Sequence, residues 1–257
     1  MKFLKTILDF YINTSIHVAV AVFSLVQISK LSLNISTNEN LNYFIFFGTI
    51  LGYNFLKYFE VFWKQIFTFK KNFGIVFVSL IAIFRMIYYF FRLELIFQIE
   101  FFKIGILILI YPFIRKYGLI KMVFVSFCLT LITVYILIMN ETQNWIYLIQ
   151  RFLIVFCLLI PLEICDLEMD SKTIKTLPKI IGIQNLKILG YCLLGLFCCS
   201  TLIFKIDIVI AIVIGIAIFF SNKDKSKYYT SFWIESLPVF WWILLLFRDV
   251  FQNSISF

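Results

Sequence analysis

Four acidic residues, Glu163, Asp166, Glu168 and Asp170, stand within eight positions at the end of an apolar run. On an α-helix, Glu163, Asp166 and Asp170 would occupy positions i, i+3 and i+7 and share one face, whereas Glu168 would point elsewhere. Carboxylates so close together repel one another unless a cation neutralises them. Mg²⁺ prefers hard oxygen ligands and typically binds one or two carboxylates together with substrate phosphates. The pattern therefore predicts a site for a magnesium-bound diphosphate.

Glu163, Asp166 and Asp170, which we call the acidic stripe, also have a purely structural interpretation. Lys172, Lys175 and Lys179 follow it closely, so the acids can form the solvated end of a helix whose charges pair with these lysines. Carboxylates at membrane depth cost several kcal/mol and usually serve a function where they are kept. The residues of this stretch alone leave both interpretations open.

The composition of the whole chain indicates the elements that must position these acids. Of 257 residues, 62% are hydrophobic and 14% are charged, whereas soluble domains contain about 45–50% and about 25% respectively. The apolar residues form runs of about 20, the length that crosses a bilayer as a helix. Because lipid offers no hydrogen-bond partners to the backbone, these runs must be helical. The sequence predicts an all-α, polytopic membrane protein that forms a single domain over residues 1–257.

We predict about nine transmembrane spans. Two of them share a tight hairpin around residues 204–207, for which one long re-entrant element is the alternative. The predicted ranges are 10–30, 41–58, 73–91, 94–114, 118–139, 144–164, 185–204, 206–220 and 232–251.

The distribution of positive charge predicts the orientation of the chain. The net charge is +9, but most lysines and arginines lie in short loops where membrane topology requires them, so nucleic acid is not expected as a partner. Alternate loops carry 16 and 5 of these residues. The excess places the N-terminus in the cytoplasm, together with the polar loops at about 59–72 and 165–184.

The residues after the acidic stripe resemble a known motif. Asp166 and Asp170 are followed by Thr176-Leu177-Pro178 and then by Gly182. This order and spacing resembles the second aspartate-rich motif of the UbiA-type membrane prenyltransferases, in which DxxxD precedes a Thr-Leu-Pro turn and a glycine. Glu163 extends the acidic face by one helical turn.

The resemblance implies a fold and an activity. It implies nine helices around a central cavity that opens to lipid, with a prenyl diphosphate bound to Mg²⁺ at the acidic motifs. Glu163, Asp166 and Asp170 would be metal ligands, and Asp166 and Asp170 would also be catalytic residues. The isoprenyl group would pass to an aromatic or other lipophilic acceptor after the allylic diphosphate ionises.

The first aspartate-rich motif of that family is largely missing. Its pattern, Asn-Asp-x-x-Asp-x-x-x-Asp, falls on residues 54–62, where only Asn54 fits and is retained as a catalytic candidate. Phe55, Tyr58 and Phe62 occupy the aspartate positions. Because phenylalanine offers no oxygen ligand and tyrosine a poor one, a second Mg²⁺ site is expected to be severely weakened.

Basic residues provide a second way to hold the diphosphate. Lys57 lies within the altered motif and can meet a phosphate as a point charge. Four further candidates are Arg115, Lys116, Lys121 and Lys175.

Two other functions are considered. The loss of the first-motif aspartates favours a degenerate relative that binds an isoprenoid or another lipid without turnover. A transporter or channel is less favoured, because the polar residues cluster at one predicted membrane face instead of forming a path across the membrane.

Overall fold

The structure is a computed structural model that describes residues 2–63, 72–114, 117–139, 145–168, 176–200, 205–226 and 228–255. Every regular element in these ranges is a helix, as the apolar runs predict. In chain order the helices are α1 (Lys2–Asn13), α2 (Ile16–Leu33), α3 (Glu39–Trp63), α4 (Phe73–Phe90), α5 (Leu95–Ile114), α6 (Gly118–Thr130), α7 (Ile136–Ile138), α8 (Trp145–Cys165), α9 (Leu177–Ile181), α10 (Ile183–Ser200), α11 (Lys205–Phe220) and α12 (Leu237–Ile255). Three short segments extend these helices: π-helical Leu131–Tyr135 and Tyr229–Ile234, and the 3-10 turn Asp166–Glu168.

Seven helical stretches in the described part of the chain are long and apolar enough to cross a membrane. The protein is therefore an integral membrane protein. α11 is apolar but shorter, and the 25-residue helix α3 is not among the seven. The prediction of nine spans thus remains a prediction, although each predicted range overlaps a helix. The seven are Ile16–Leu33, Phe73–Phe90, Leu95–Ile114, Ile120–Ile138, Trp145–Cys165, Ile183–Ser200 and Tyr229–Arg248.

The first predicted span, 10–30, crosses a break in the chain. α1 ends at Asn13, and α2 begins at Ile16 after Ser15 adopts a left-handed conformation with φ of 62°. Ser15 Oγ donates a hydrogen bond of 2.6 Å to Asn54 Oδ1, and Asn54 Nδ2 donates to the carbonyl oxygen of Thr14 at 3.1 Å. These contacts from α3 stabilise a backbone conformation that is unusual for serine. The sequence-based boundary missed the break because its stabilising partner lies 39 residues away.

The helices differ strongly in burial. α8 lies in the interior, where Ile154, Cys157 and Ile160 are completely buried. α4 lies at the periphery, where Phe77 and Phe84 are exposed. Apolar side chains on such a surface are what lipid covers in a membrane protein. Glu163, the first residue of the acidic stripe, lies in the last turn of the interior helix α8.

A close approach of three helices depends on Gly190 of α10. A Cβ atom at this position would lie 2.8 Å from Ile160 Cδ1 of α8 and 3.0 Å from Ile218 Cδ1 of α11. Small residues let membrane helices approach closely and gain van der Waals contact. Gly190 thus holds α10 against the interior helix.

A buried polar cluster joins four helices at the end of the bundle where α8 and α11 begin. Ser29, Arg151, Asp207 and Trp241 form what we call the Arg151 cluster. Arg151 Nη2 donates a hydrogen bond of 2.8 Å to Ser29 Oγ, and Trp241 Nε1 donates one of 2.9 Å to Asp207 Oδ1. The guanidinium carbon lies 5.3 Å from the centroid of the Trp241 ring. A cavity of about 30 Å³ adjoins these groups.

Candidate functional site

The acidic stripe lies at the end of α8, opposite the Arg151 cluster. Helix α8 ends at Cys165, and a 3-10 turn runs from Asp166 to Glu168. The predicted acidic stripe therefore does not lie on one continuous α-helix. Glu163 is buried and forms an ion pair of 2.5 Å with Lys121 of α6. A predicted metal ligand and a predicted diphosphate ligand are therefore in direct contact. Glu163 is thus buried and paired with Lys121, whereas the structural interpretation expects solvated acids paired with the lysines that follow the stripe, of which Lys172 and Lys175 lie outside the described residues.

Glu235, which no sequence pattern singled out, lies within electrostatic range of Asp166. Glu235 follows the π-helical segment Tyr229–Ile234, and π-helical turns occur frequently at functional sites. Its carboxyl group interacts electrostatically with Asp166 and with Lys57 of α3. The hydroxyl group of Tyr53 donates a long hydrogen bond of 3.5 Å to Glu235 Oε1. Glu235 thus contacts α3 through Tyr53 and lies within electrostatic range of the end of α8.

Tyr53 extends the electrostatic interactions of Glu235 and Asp166 to helix α5. It interacts electrostatically with Glu235, Asp166 and Tyr111, the last of which belongs to α5. Tyr53 also keeps 36% of its surface exposed, so its ring borders open space. We call the five residues Tyr53, Lys57, Tyr111, Asp166 and Glu235 the Glu235 cluster. Its members come from four parts of the chain that are distant in sequence.

Lys57 and Asn54 contact the junction between α1 and α2. Lys57 Nζ donates a hydrogen bond of 3.3 Å to the carbonyl oxygen of Ile12 and lies 5.5 Å from the Tyr58 ring centroid. Asn54 is buried, and its amide nitrogen donates to Ser79 Oγ at 3.0 Å in addition to the contacts with residues 14 and 15. Asn54 has a structural role in the fold. Its catalytic role stays a prediction.

Tyr58 occupies a position where the family resemblance would place an aspartate. Its hydroxyl group donates a hydrogen bond of 2.9 Å to the carbonyl oxygen of Asn13. Tyr58 therefore has a structural role at the end of α1.

Four predicted site residues lie outside the described residues: Asp170, Arg115, Lys116 and Lys175. Their predicted roles as metal or diphosphate ligands stay predictions. The turn that follows them is described. Thr176 is buried and precedes α9, Pro178 stands in the first turn of that helix, and Gly182 with φ of 83° ends it. A proline in the first turn and a glycine just past the end are typical of a short helix such as α9.

The donor atoms of the site suit a magnesium-bound diphosphate. Asp166 and Glu235 offer hard carboxylate oxygens, and Lys57 and Lys121 offer ammonium groups that suit phosphate oxygens. Within the described ranges, no group of three or more His, Cys, Asp and Glu side chains is close enough to form a metal cage. A cation there would therefore need phosphate or water oxygens to complete its coordination, as Mg²⁺ sites commonly do.

Glu235 could have been identified from its position in the sequence. It is an acidic residue within the predicted span 232–251, and ionisable residues inside membrane spans often mark functional sites. No local motif accompanies it, because its partners come from α3 and α8.

Comparison of this chain with protein-family models, with curated proteins and with solved structures found no match.

Proposed function

We propose that this integral membrane protein is a divergent UbiA-type prenyltransferase that uses a magnesium-bound prenyl diphosphate as donor. The observation that carries the proposal is that Lys57 of α3 and Asp166 at the end of α8 both interact electrostatically with Glu235. α3 and the end of α8 are the two segments that the family resemblance assigns to diphosphate binding. A basic group from one segment and an acidic group from the other therefore lie within electrostatic range of the same carboxylate.

In the proposed reaction the allylic carbon–oxygen bond breaks and the electron pair leaves with diphosphate. The acceptor then attacks the carbocation and loses a proton. Magnesium would neutralise the diphosphate and stabilise it as a leaving group. Lys57 and Lys121 would contact phosphate oxygens, together with Arg115, Lys116 and Lys175. Aromatic faces such as that of Tyr53 would stabilise the cation through their quadrupole.

Each acidic residue has a proposed role. Asp166 and Asp170 would bind the magnesium, and Asn54 orients the α3 side of the site through its contacts with the α1–α2 junction. Glu163 would be the third metal ligand of the stripe, and Lys121, its ion-pair partner, would contact the diphosphate. The acceptor is aromatic or otherwise lipophilic and enters from the bilayer. The N-terminus and the site loops face the cytoplasm.

A turnover assay tests this function. Purified protein in nanodiscs, supplied with Mg²⁺ and a panel of prenyl diphosphates and acceptors, is expected to release pyrophosphate. The release should disappear in Asp166→Asn, because the amide cannot supply a charged metal ligand. Asp224→Asn is the matched control, since Asp224 is an exposed loop acid. Equal release by Asp166→Asn and wild type would contradict the proposal.

The second candidate is a relative that binds an isoprenoid or another lipid without turnover. The contact between Tyr58 and Asn13 favours it, because a missing metal ligand has acquired a structural role. The same nanodisc preparation separates the two functions. Binding of a prenyl lipid that does not depend on Mg²⁺, without pyrophosphate release, would support this second candidate and exclude the enzyme.

A further inference from the structure

Helix α1 has two chemically different faces. Phe3, Ile7 and Phe10 occupy positions i, i+4 and i+7, and Leu4 extends the same face by one residue. All four side chains are exposed, with exposed fractions from 46% to 76%. Lys5 lies on the opposite side and is also exposed. Such a separation of apolar and polar residues is typical of a helix that lies in the plane of a membrane interface.

The contacts of α1 fix its position beside the membrane spans. Its last residues accept hydrogen bonds from α3: the carbonyl oxygen of Ile12 from Lys57 and that of Asn13 from Tyr58. Asp9 accepts a hydrogen bond of 2.5 Å from the hydroxyl group of Tyr228, the residue before the π-helical segment. These contacts involve the polar side and the carboxyl end of α1, and Phe3, Leu4 and Ile7 of its apolar face stay exposed.

The apolar face of α1 continues into the lipid-facing surface of α4. The Phe10 ring packs on Gly74, where a Cβ atom would approach Phe10 Cε2 to 2.7 Å. Phe73 and Phe77, which flank Gly74 on α4, are exposed by 69% and 53%. Since α4 is a candidate membrane span, the bilayer that covers these phenylalanines also reaches α1.

We propose that α1 is an interfacial helix whose face formed by Phe3, Leu4, Ile7 and Phe10 inserts into the adjacent leaflet of the bilayer. The occupant of this face is lipid. The short turn at Thr14 and Ser15 supports this, because it connects α1 directly to the membrane span α2 and keeps the helix near the membrane surface. A helix of 12 residues is too short to cross the hydrocarbon region by itself.

Photo-crosslinking of the full chain in nanodiscs tests the proposal. The crosslinking residue p-benzoylphenylalanine replaces Ile7 in one variant and Lys5 in a matched control on the opposite face of α1. The nanodiscs contain phosphatidylcholine and phosphatidylglycerol. After irradiation, intact-mass spectrometry of the Ile7 variant should show adducts of one lipid mass, and the Lys5 control should lack them.

Three outcomes would overturn the proposal. They are the absence of lipid adducts at Ile7, equal lipid adducts at Ile7 and Lys5, and a crosslinked species of twice the protein mass, which would place a second copy on this face. A variant with the crosslinker at Leu4 repeats the test, so that a folding defect in one variant does not decide it. None of these outcomes bears on whether the protein transfers prenyl groups.

Discussion

Two polar clusters lie toward opposite ends of this helical bundle, and they differ in how completely the protein encloses them. In the Arg151 cluster, Arg151, Asp207 and Trp241 are exposed by only 5%, 7% and 4%. In the Glu235 cluster, Glu235 is half-buried, and its hydrogen bond to Tyr53 measures 3.5 Å. The Arg151 cluster is closed, and its hydrogen bonds measure 2.8 and 2.9 Å. The Glu235 cluster is open, and the hydrogen bond from Tyr53 to Glu235 is longer.

The difference indicates different purposes. Buried charged groups in membranes are tolerated when other protein groups satisfy them, and Ser29 and Trp241 do this for Arg151 and Asp207 across neighbouring helices. An open cluster of acidic, basic and phenolic groups leaves surface on which a charged ligand can bind. We therefore attribute a structural role to the Arg151 cluster, and the proposed function requires the Glu235 cluster to bind the charged ligand.

The largest expected effect is on stability at the closed cluster. Arg151→Met should lower the free energy of unfolding by about 1–3 kcal/mol, because Ser29 would lose its charged donor and the buried Asp207 would lose a nearby positive charge. The double variant Arg151→Met/Asp207→Leu should recover much of the loss. Thermal unfolding in detergent measures both. A loss in the single variant below about 1 kcal/mol, which is usual for exposed ion pairs, would remove the distinction between the clusters.

A smaller effect is expected on activity at the open cluster. Glu235→Gln should lower the rate of pyrophosphate release by about tenfold or more, in the range observed when a group beside a metal site is changed. Its melting temperature should stay close to that of the wild type, because Glu235 is only half-buried. Turnover and melting are measured on the same preparation. A variant with full activity would place Glu235 outside the site.

The smallest effect concerns the anchor of α1 beside the open cluster. The hydrogen bond from Tyr228 to the Asp9 carboxylate raises the pKa of Tyr228 above its usual value of 10.0, because it favours the protonated phenol. The stabilisation is therefore complete below pH 10 and is lost as the pH rises through the raised pKa. Tyr228→Phe should remove this pH dependence and increase amide hydrogen exchange in α1. Unchanged exchange would show that Asp9 does not anchor the helix.

The sequence predicted the helical architecture better than the details at helix ends. Apolar runs determine membrane helices, because each run satisfies its own backbone hydrogen bonds. The break at Ser15 was missed because it depends on Asn54, which comes from another helix. A left-handed serine has no local signature that separates it from a helical one.

The candidate site was predicted only in part, because it also depends on residues that come from different helices. Glu163, Asp166 and Lys121 were selected from local patterns, and the structure places Glu163 and Lys121 in contact. Glu235 was not selected, because its significance arises only when α3 and α8 approach it. Local patterns identify residues on one helix face, whereas a site between helices depends on tertiary packing.

The most direct test of the assignment is the change in melting temperature when Mg²⁺ and a non-hydrolysable prenyl diphosphate analogue are added together. Ligands that bind only the folded state raise its stability. We predict a rise for the wild type and for Asp207→Asn, whose closed cluster is weakened, and no rise for Asp166→Asn. An equal rise in all three proteins would contradict the assignment of diphosphate binding to the Glu235 cluster.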